Sequence, residues 1–501
     1  MQAATLEGAG ELAVADAVEL PRPYGVVCRP RRRFVIGQPL EQERRKIIVA
    51  QSAASAFQRH SRNAALSVPV ASAPERSLWN IEAIAVGLYF TRDAFAGAGR
   101  YYLNVLRLDP LWFFPDIFAI ACMATFVYRY CLQGRSIIAT IVFLYTIVAL
   151  IIGYIFLGTV AGLSSSFKMF APIFVGFCFC QRNIDDTPWL MPLIKALFFL
   201  SILGVLASKF IQFPWVGFAY ESFGATRQAG RLWWSQAELR LAGFAADSTM
   251  ASYFILITFV FTATRSRLWW VIVWGAIGLW TIKMTTNKTS LGVMAIFICA
   301  VLFIRILPEI QRFKTLRLMA ISSFGCILIP IVLIVLFSGV DLTKASPGLF
   351  SMWDRINNSW QKPFVYMYDF MPIGYISGCG LGCFNYPQNL FSPEMGKYYV
   401  AVDNFYIGTY LMFGPIFLVF MVLAIKSLRV STNIDKLTVC FVMNIFTVTI
   451  LAYGPASGLL MMGFIFSDVF ARSQTGRFTS GTPMRLRRPP VPPSMSLRPA
   501  E

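Results

Sequence analysis

Three side chains stand where long apolar runs begin: Arg240 in RLAGFAADSTMASYFIL, Lys288 in TTNKTSLGVMAIF and Asp403 in VDNFYIGTYLMFGPIFLVF. Fixed cations aimed at a group that gains negative charge stabilise a transition state more than its ground state. Arg240 and Lys288 are of that type, and a guanidinium can grip two oxygens at once, each charge-assisted bond contributing about 1.5–3 kcal/mol. Asp403 could take the proton that an attacking hydroxyl must lose. An exposed aspartate, with a pKa of about 4, is a weak base, so Asp403 is useful if burial raises its pKa or if it only orients the hydroxyl. Each residue also has a plainer use. Arg240 could snorkel to an interface or pair with Glu238, Lys288 could cap its helix, and Asp403 with Asn404 could form a helix N-cap.

Other chemistries are excluded or demoted. The sole histidine, His60, lies in the N-terminal tail, so a histidine-based metal site, a Ser-His-Asp triad or a histidine base is not expected in the apolar part of the chain. Asp185 and Asp186, in RNIDDTPW, read as a helix start and turn and not as metal ligands. A phosphate loop of the Walker type is lacking, and GCGLGCF has no strand-turn-helix context to make it a dinucleotide fingerprint. No cofactor or metal is expected.

These residues must be positioned by membrane helices. Of 501 residues, 56% are hydrophobic and only 14% charged, and runs of about twenty apolar residues recur, which is the pattern of spanning helices and not of a transmembrane β-barrel. The fold class expected is all-α, a polytopic integral membrane protein with about 12 transmembrane helices. The spans fall near Ile81–Ala98, Leu111–Tyr128, Ile137–Gly158, Met169–Cys180, Leu190–Ile211, Ser248–Thr264, Trp269–Met284, Ser290–Leu307, Leu318–Phe337, Asn404–Ile425, Leu437–Tyr453 and Gly458–Ala471. Glu82, Arg92 and Asp93 interrupt the first, at a cost of roughly 2.5–3.5 kcal/mol for a charge at a helix centre.

Basic residues set the orientation, because Lys and Arg accumulate in short cytoplasmic loops. The tails, residues 1–78 and 472–501, are basic and read as disordered and cytoplasmic. The loops holding Arg129 and Arg135, Arg265 and Arg267, Arg312 to Arg317, and Lys426 to Lys436 then fall on the same side. Two polar stretches, about 212–247 and 338–403, face out, the larger being a periplasmic loop between spans 9 and 10 of the transmembrane domain 79–471. The net charge of +19 is met by anionic lipid, and no nucleic-acid partner is needed. No cleavable leader is expected, the first span serving as the targeting signal.

The outer stretches carry further candidates. Arg227, Arg231, Arg355 and Lys362 could guide an anionic substrate, or be solvated charges. Trp233, Trp234, Trp353, Trp360, Tyr366 and Tyr368 read first as interfacial anchors. Cys379 and Cys383, with glycines between them, could form a disulfide or simply pack in the loop. Lys195 and Lys209, in the fifth span, could line a cavity or snorkel.

The order of four segments resembles the O-antigen ligase and polymerase superfamily over approximately residues 80–470. Arg240 opens an Arg-x-x-Gly-Phe-like segment, and Lys288 lies in one similar to Ser-x-Ser-Arg/Lys-Thr. GCGLGCF resembles Gly-x-Gly-x-x-Phe, and DNFYI is similar to His-Asn-x-Tyr-Leu. The resemblance implies a glycosyltransferase of the bacterial inner membrane. It would join undecaprenyl-pyrophosphate-linked oligosaccharide repeat units on the periplasmic face, without metal or nucleotide, during exopolysaccharide, capsule or O-antigen synthesis. Arg240, Lys288 and Asp403 would then be catalytic, and Asn404, Tyr406, Arg227, Arg231 and Arg355 would bind substrate. A flippase for lipid-linked glycans and a chain-length regulator are the implied pathway partners. Ligases carry histidine where this chain has Asp403, which points away from transfer to lipid A core. The alternatives are such a ligase, or a transporter of lipid-linked glycan, against which the absence of a convincing internal repeat counts.

Overall fold

The computed structural model describes residues 80–471 other than 223, 232, 233, 236, 237, 345, 347 and 348. The two basic tails, His60 and Trp233 lie outside the described residues, as does the side chain of Trp234.

The helix Ile137–Leu157 shows how composition becomes architecture. Ser136 accepts a hydrogen bond from the Ala139 amide to start it, and Gly158, at φ 68°, ends it. Apart from Leu157 at its end, its buried side is small or polar, with Ala139, Thr146, Ala149 and Gly153, while Ile141, Leu144, Ile151 and Ile155 lie exposed on the other faces. Small residues inward and large apolar ones outward is the arrangement of helices that pack closely within a bilayer. Among the described residues, six helical stretches are long and apolar enough to cross a membrane: Asp109–Gln133, Ile137–Leu157, Val160–Phe177, Leu190–Ala207, Lys288–Ile306 and Glu309–Phe337. The structure is mostly helical, and its described strands are two short antiparallel hairpins, Ala219–Ser222 with Ala225–Gln228 and Trp234–Ser235 with Glu238–Leu239.

Several expected boundaries move. The first apolar run breaks at Phe95 into helices Ile81–Ala94 and Ala96–Val105. The fourth starts at Val160, where the Thr159 hydroxyl caps the Gly162 amide, and not at Met169. The tenth is split into Phe405–Phe413 and Ile416–Val430, because Gly414 takes φ 66° and Pro415 follows it. Trp360 is not an interfacial anchor: it is buried against Leu342 and Ile356.

The charges inside apolar runs find partners. Glu82 receives both Arg129 and Arg182, and the Asp93 carboxylate accepts the Ser457 amide at 2.8 Å. One polar belt links many helix ends. The Arg182 carbonyl accepts from Asn433, Lys436 bonds to Asp468, and Ser431 donates to Asp468 while its carbonyl accepts from Arg317. Arg265 holds Asp185 and Asp435 at 2.7 Å each. Asp186 closes a capping box with Asn183, so this acidic pair is structural.

The glycines of GCGLGCF have a packing reason. The loop inserts between helices, with the Leu381 amide donating to the Ala149 carbonyl and the Cys379 amide to Leu411. Cys379 and Cys383 are joined by a disulfide. Gly380 sits at φ 84°, and a β-carbon there would meet the Gly153 backbone nitrogen at 2.1 Å. Gly380→Ala therefore combines left-handed strain with overpacking and is expected to lower stability by about 2–4 kcal/mol, read as a reduced thermal midpoint of the purified protein. An unchanged midpoint would show that the loop is not inserted this way.

Candidate functional site

Arg240 leaves the second short hairpin and reaches a sharp helix-helix turn. Its Nε donates to the Thr285 carbonyl at 3.5 Å. Thr285 ends the segment after helix Leu268–Met284, Thr286 turns the chain at φ 57°, and the Asn287 carboxamide caps helix Lys288–Ile306 by accepting from the Ser290 amide. The cap is thus Asn287, which leaves Lys288 exposed at the first helical position. Arg240 and Lys288, distant in sequence, share one turn. Burial lowers the Arg240 pKa from its usual range, with Asp247 opposing that effect. Asp247 itself caps helix Ser248–Arg265 by accepting from the Met250 amide at 2.8 Å.

The turn is tied to Asp403 through one further segment. The Thr289 hydroxyl pairs with that of Thr449 at 2.7 Å, the Asn404 side-chain Nδ2 donates to the Val448 carbonyl at 2.9 Å, and the Phe405 backbone amide donates to the Thr447 carbonyl. Three consecutive residues, Thr447 to Thr449, therefore hold the neighbours of Lys288 and of Asp403 side by side. A short series of bonds thus links the segments that carry the three residues expected to be catalytic.

Asp403 is half-buried, with Oδ2 3.5 Å from Arg355 Nε. Burial raises its pKa above the ordinary carboxylate value, Arg355 draws it back down, and Asp354 adds a smaller upward push. This environment meets the condition set by its weak intrinsic basicity. Tyr399 lies beside it, its phenol pKa raised by burial and by Asp403 and lowered by Arg231. Arg355 thus stands beside the carboxylate, and Arg231 near the Tyr399 phenol.

Asn404 and Tyr406, expected to bind substrate, are buried and bonded within the protein. Asn404 is 1% exposed: its oxygen caps helix Phe405–Phe413 through the Ile407 amide, and its nitrogen is committed to Val448. Tyr406 is buried and donates to Asn444, which in turn donates to Ser323. Arg227 lies elsewhere, between the rings of Tyr386 and Phe391.

The structure also gathers ionisable residues that were given no site role: Arg92, Asp116, Lys168 and Arg100. The available signal was their position in or beside apolar segments, where ionisable groups are costly and have partners. Sequence does not reveal which partners those are. Among the described residues, no three His, Cys, Asp or Glu side chains converge as metal ligands would. Immediately past Asn404, Phe405, Thr409 and Phe413 line an apolar cavity of about 240 Å³ with Tyr145, Phe170 and Tyr453. No family model, curated protein or solved structure matches this chain.

Proposed function

We propose that this protein is a membrane polysaccharide polymerase that joins polyprenyl-pyrophosphate-linked repeat units on the outer face of a bacterial inner membrane. The observation carrying the reading is that the segments bearing Arg240, Lys288 and Asp403 are tied together by bonds at the Thr285 turn and along Thr447–Thr449. In the reaction, the acceptor hydroxyl oxygen attacks the anomeric carbon while the bond from that carbon to the pyrophosphate breaks. The electron pair leaves on the pyrophosphate oxygen beside Arg240 and Lys288, and the hydroxyl proton passes to Asp403. Direct displacement inverts the anomeric configuration. The apolar cavity beginning at Phe405 suits a lipid tail close to this chemistry.

Twelve crossings fit the reading, with the broken run Phe405–Val430 counted as one. The polar belt joining Glu82, Arg129, Arg182, Arg265, Arg317, Asn433 and Asp468 would then be cytoplasmic, and residues 338–403 would belong to the outer loop. Both tails would lie inside. The test supplies purified protein with undecaprenyl-pyrophosphate-linked repeat units alone and resolves products by size. A ladder is expected. Product only after addition of lipid A core would establish a ligase instead, and lipid translocation without a new glycosidic bond would establish a transporter.

A further inference from the structure

A second group of cations lies beneath the first β-hairpin. Arg92 is 3.0 Å from Asp116 and 3.3 Å from Asp93, and Lys168 is 3.6 Å from the other Asp116 oxygen. Those two cations and two carboxylates balance. Arg100 and Arg227 do not share in that balance. Arg100 is 3% exposed, and its nearest acid, Asp109, is 3.9 Å away and already accepts from Asn104 with both oxygens.

The hairpin brings the two arginines together. Tyr220 pairs in register with Arg227, and the Arg100 guanidinium stacks on the Tyr220 ring at 4.2 Å. Arg227 is close enough to disfavour the charge on Arg100. Nevertheless, among the described residues, Nε and Nη1 of Arg100, and Nε and Nη2 of Arg227, are buried donors without a hydrogen-bond acceptor. Leaving charged donors unmet costs more than making the bond would contribute. Two neighbouring like charges with four unmet donors call for a multivalent anion. Trp112 and Tyr386 flank the guanidiniums at 5.4 and 5.1 Å, leaving flat aromatic surfaces beside the anion.

We infer that Arg100 and Arg227 form a phosphate-binding site, additional to Arg240 and Lys288, that takes the diphosphate of a lipid-linked glycan. The phosphate chemistry rests on the paired buried guanidiniums, and the choice of a lipid-linked diphosphate rests on the polymerase reading. A polymerase whose donor and acceptor are both lipid-linked must hold two diphosphates at once, and two separate sets of cations meet that requirement.

Binding to the full-length protein in lipid nanodiscs, followed by calorimetry and native mass spectrometry, tests this with inorganic pyrophosphate and farnesyl diphosphate as probes. The Arg240→Ala/Lys288→Ala double variant should still bind farnesyl diphosphate at one site. Adding Arg100→Gln or Arg227→Gln should weaken that binding about tenfold or more. A parallel loss of inorganic pyrophosphate would show that the phosphate group itself is recognised, whereas binding of farnesyl diphosphate alone would assign the site to lipid-borne phosphate. Because Arg100→Gln removes a buried charge that only Asp109, at 3.9 Å, offsets among the described residues, the unliganded thermal midpoint should not fall. Binding of both probes that survives Arg100→Gln and Arg227→Gln, or no binding to the folded protein, overturns the site. Failure of the polymerase reading shows separately, as retained binding with no ladder.

Discussion

Asp403→Asn is expected to slow glycan elongation about 100- to 10,000-fold, the usual worth of a positioned general base, with little change in thermal midpoint. Asparagine keeps the shape but cannot accept the proton. The fold does not depend on this carboxylate, whose polar contact is the 3.5 Å approach of Arg355, whereas the neighbouring helix is capped by Asn404. The pH dependence follows from the same surroundings. In the proposed reaction the productive form is the carboxylate, so activity should fall as pH drops through a pKa that burial has raised. Arg355 is what opposes that rise. Arg355→Met removes its charge, so the pKa should climb further and the acid limb of the rate profile should move to higher pH. An acid limb that stays in place, or moves down, would mean that a different group titrates. Full activity of Asp403→Asn would remove Asp403 from the chemistry.

How far this was legible in the sequence depends on the range of each signal. Long apolar runs carry their own evidence of helix, and Ile137–Leu157 falls within one residue of its expected end. Breaks were harder to place, because Gly414 and Pro415 interrupt a run whose hydrophobicity continues on both sides. Motif order selected Arg240, Lys288 and Asp403, but local sequence could not distinguish a residue facing a site from one facing the core. Asn404 and Tyr406 belong to the same short segment as Asp403, yet their polar atoms are spent on Val448, Ile407 and Asn444. Arg100 failed to register for the opposite reason. Its meaning depends on Arg227, which the Tyr220 pairing delivers from a hairpin more than a hundred residues away.

Arg240→Ala should reduce elongation about 100- to 1,000-fold, comparable to removing one preorganised donor from a developing oxyanion. Lys288→Ala should act in the same direction while leaving the helix start intact, because the cap is supplied by Asn287. Arg240 also donates to the Thr285 carbonyl, so its loss could loosen the turn without touching the chemistry. Arg240→Lys separates these possibilities. A lysine keeps the charge but loses the planar two-oxygen grip, so it should recover only part of the rate if phosphate contact is what matters. In the proposed reaction the two cations, at one turn, act on one leaving group, so the rate losses of the double variant should not simply multiply. Fully independent losses would assign Arg240 and Lys288 to different steps. Unchanged rates in both single variants, from protein with a wild-type thermal midpoint, would move the leaving-group chemistry away from the Thr285 turn.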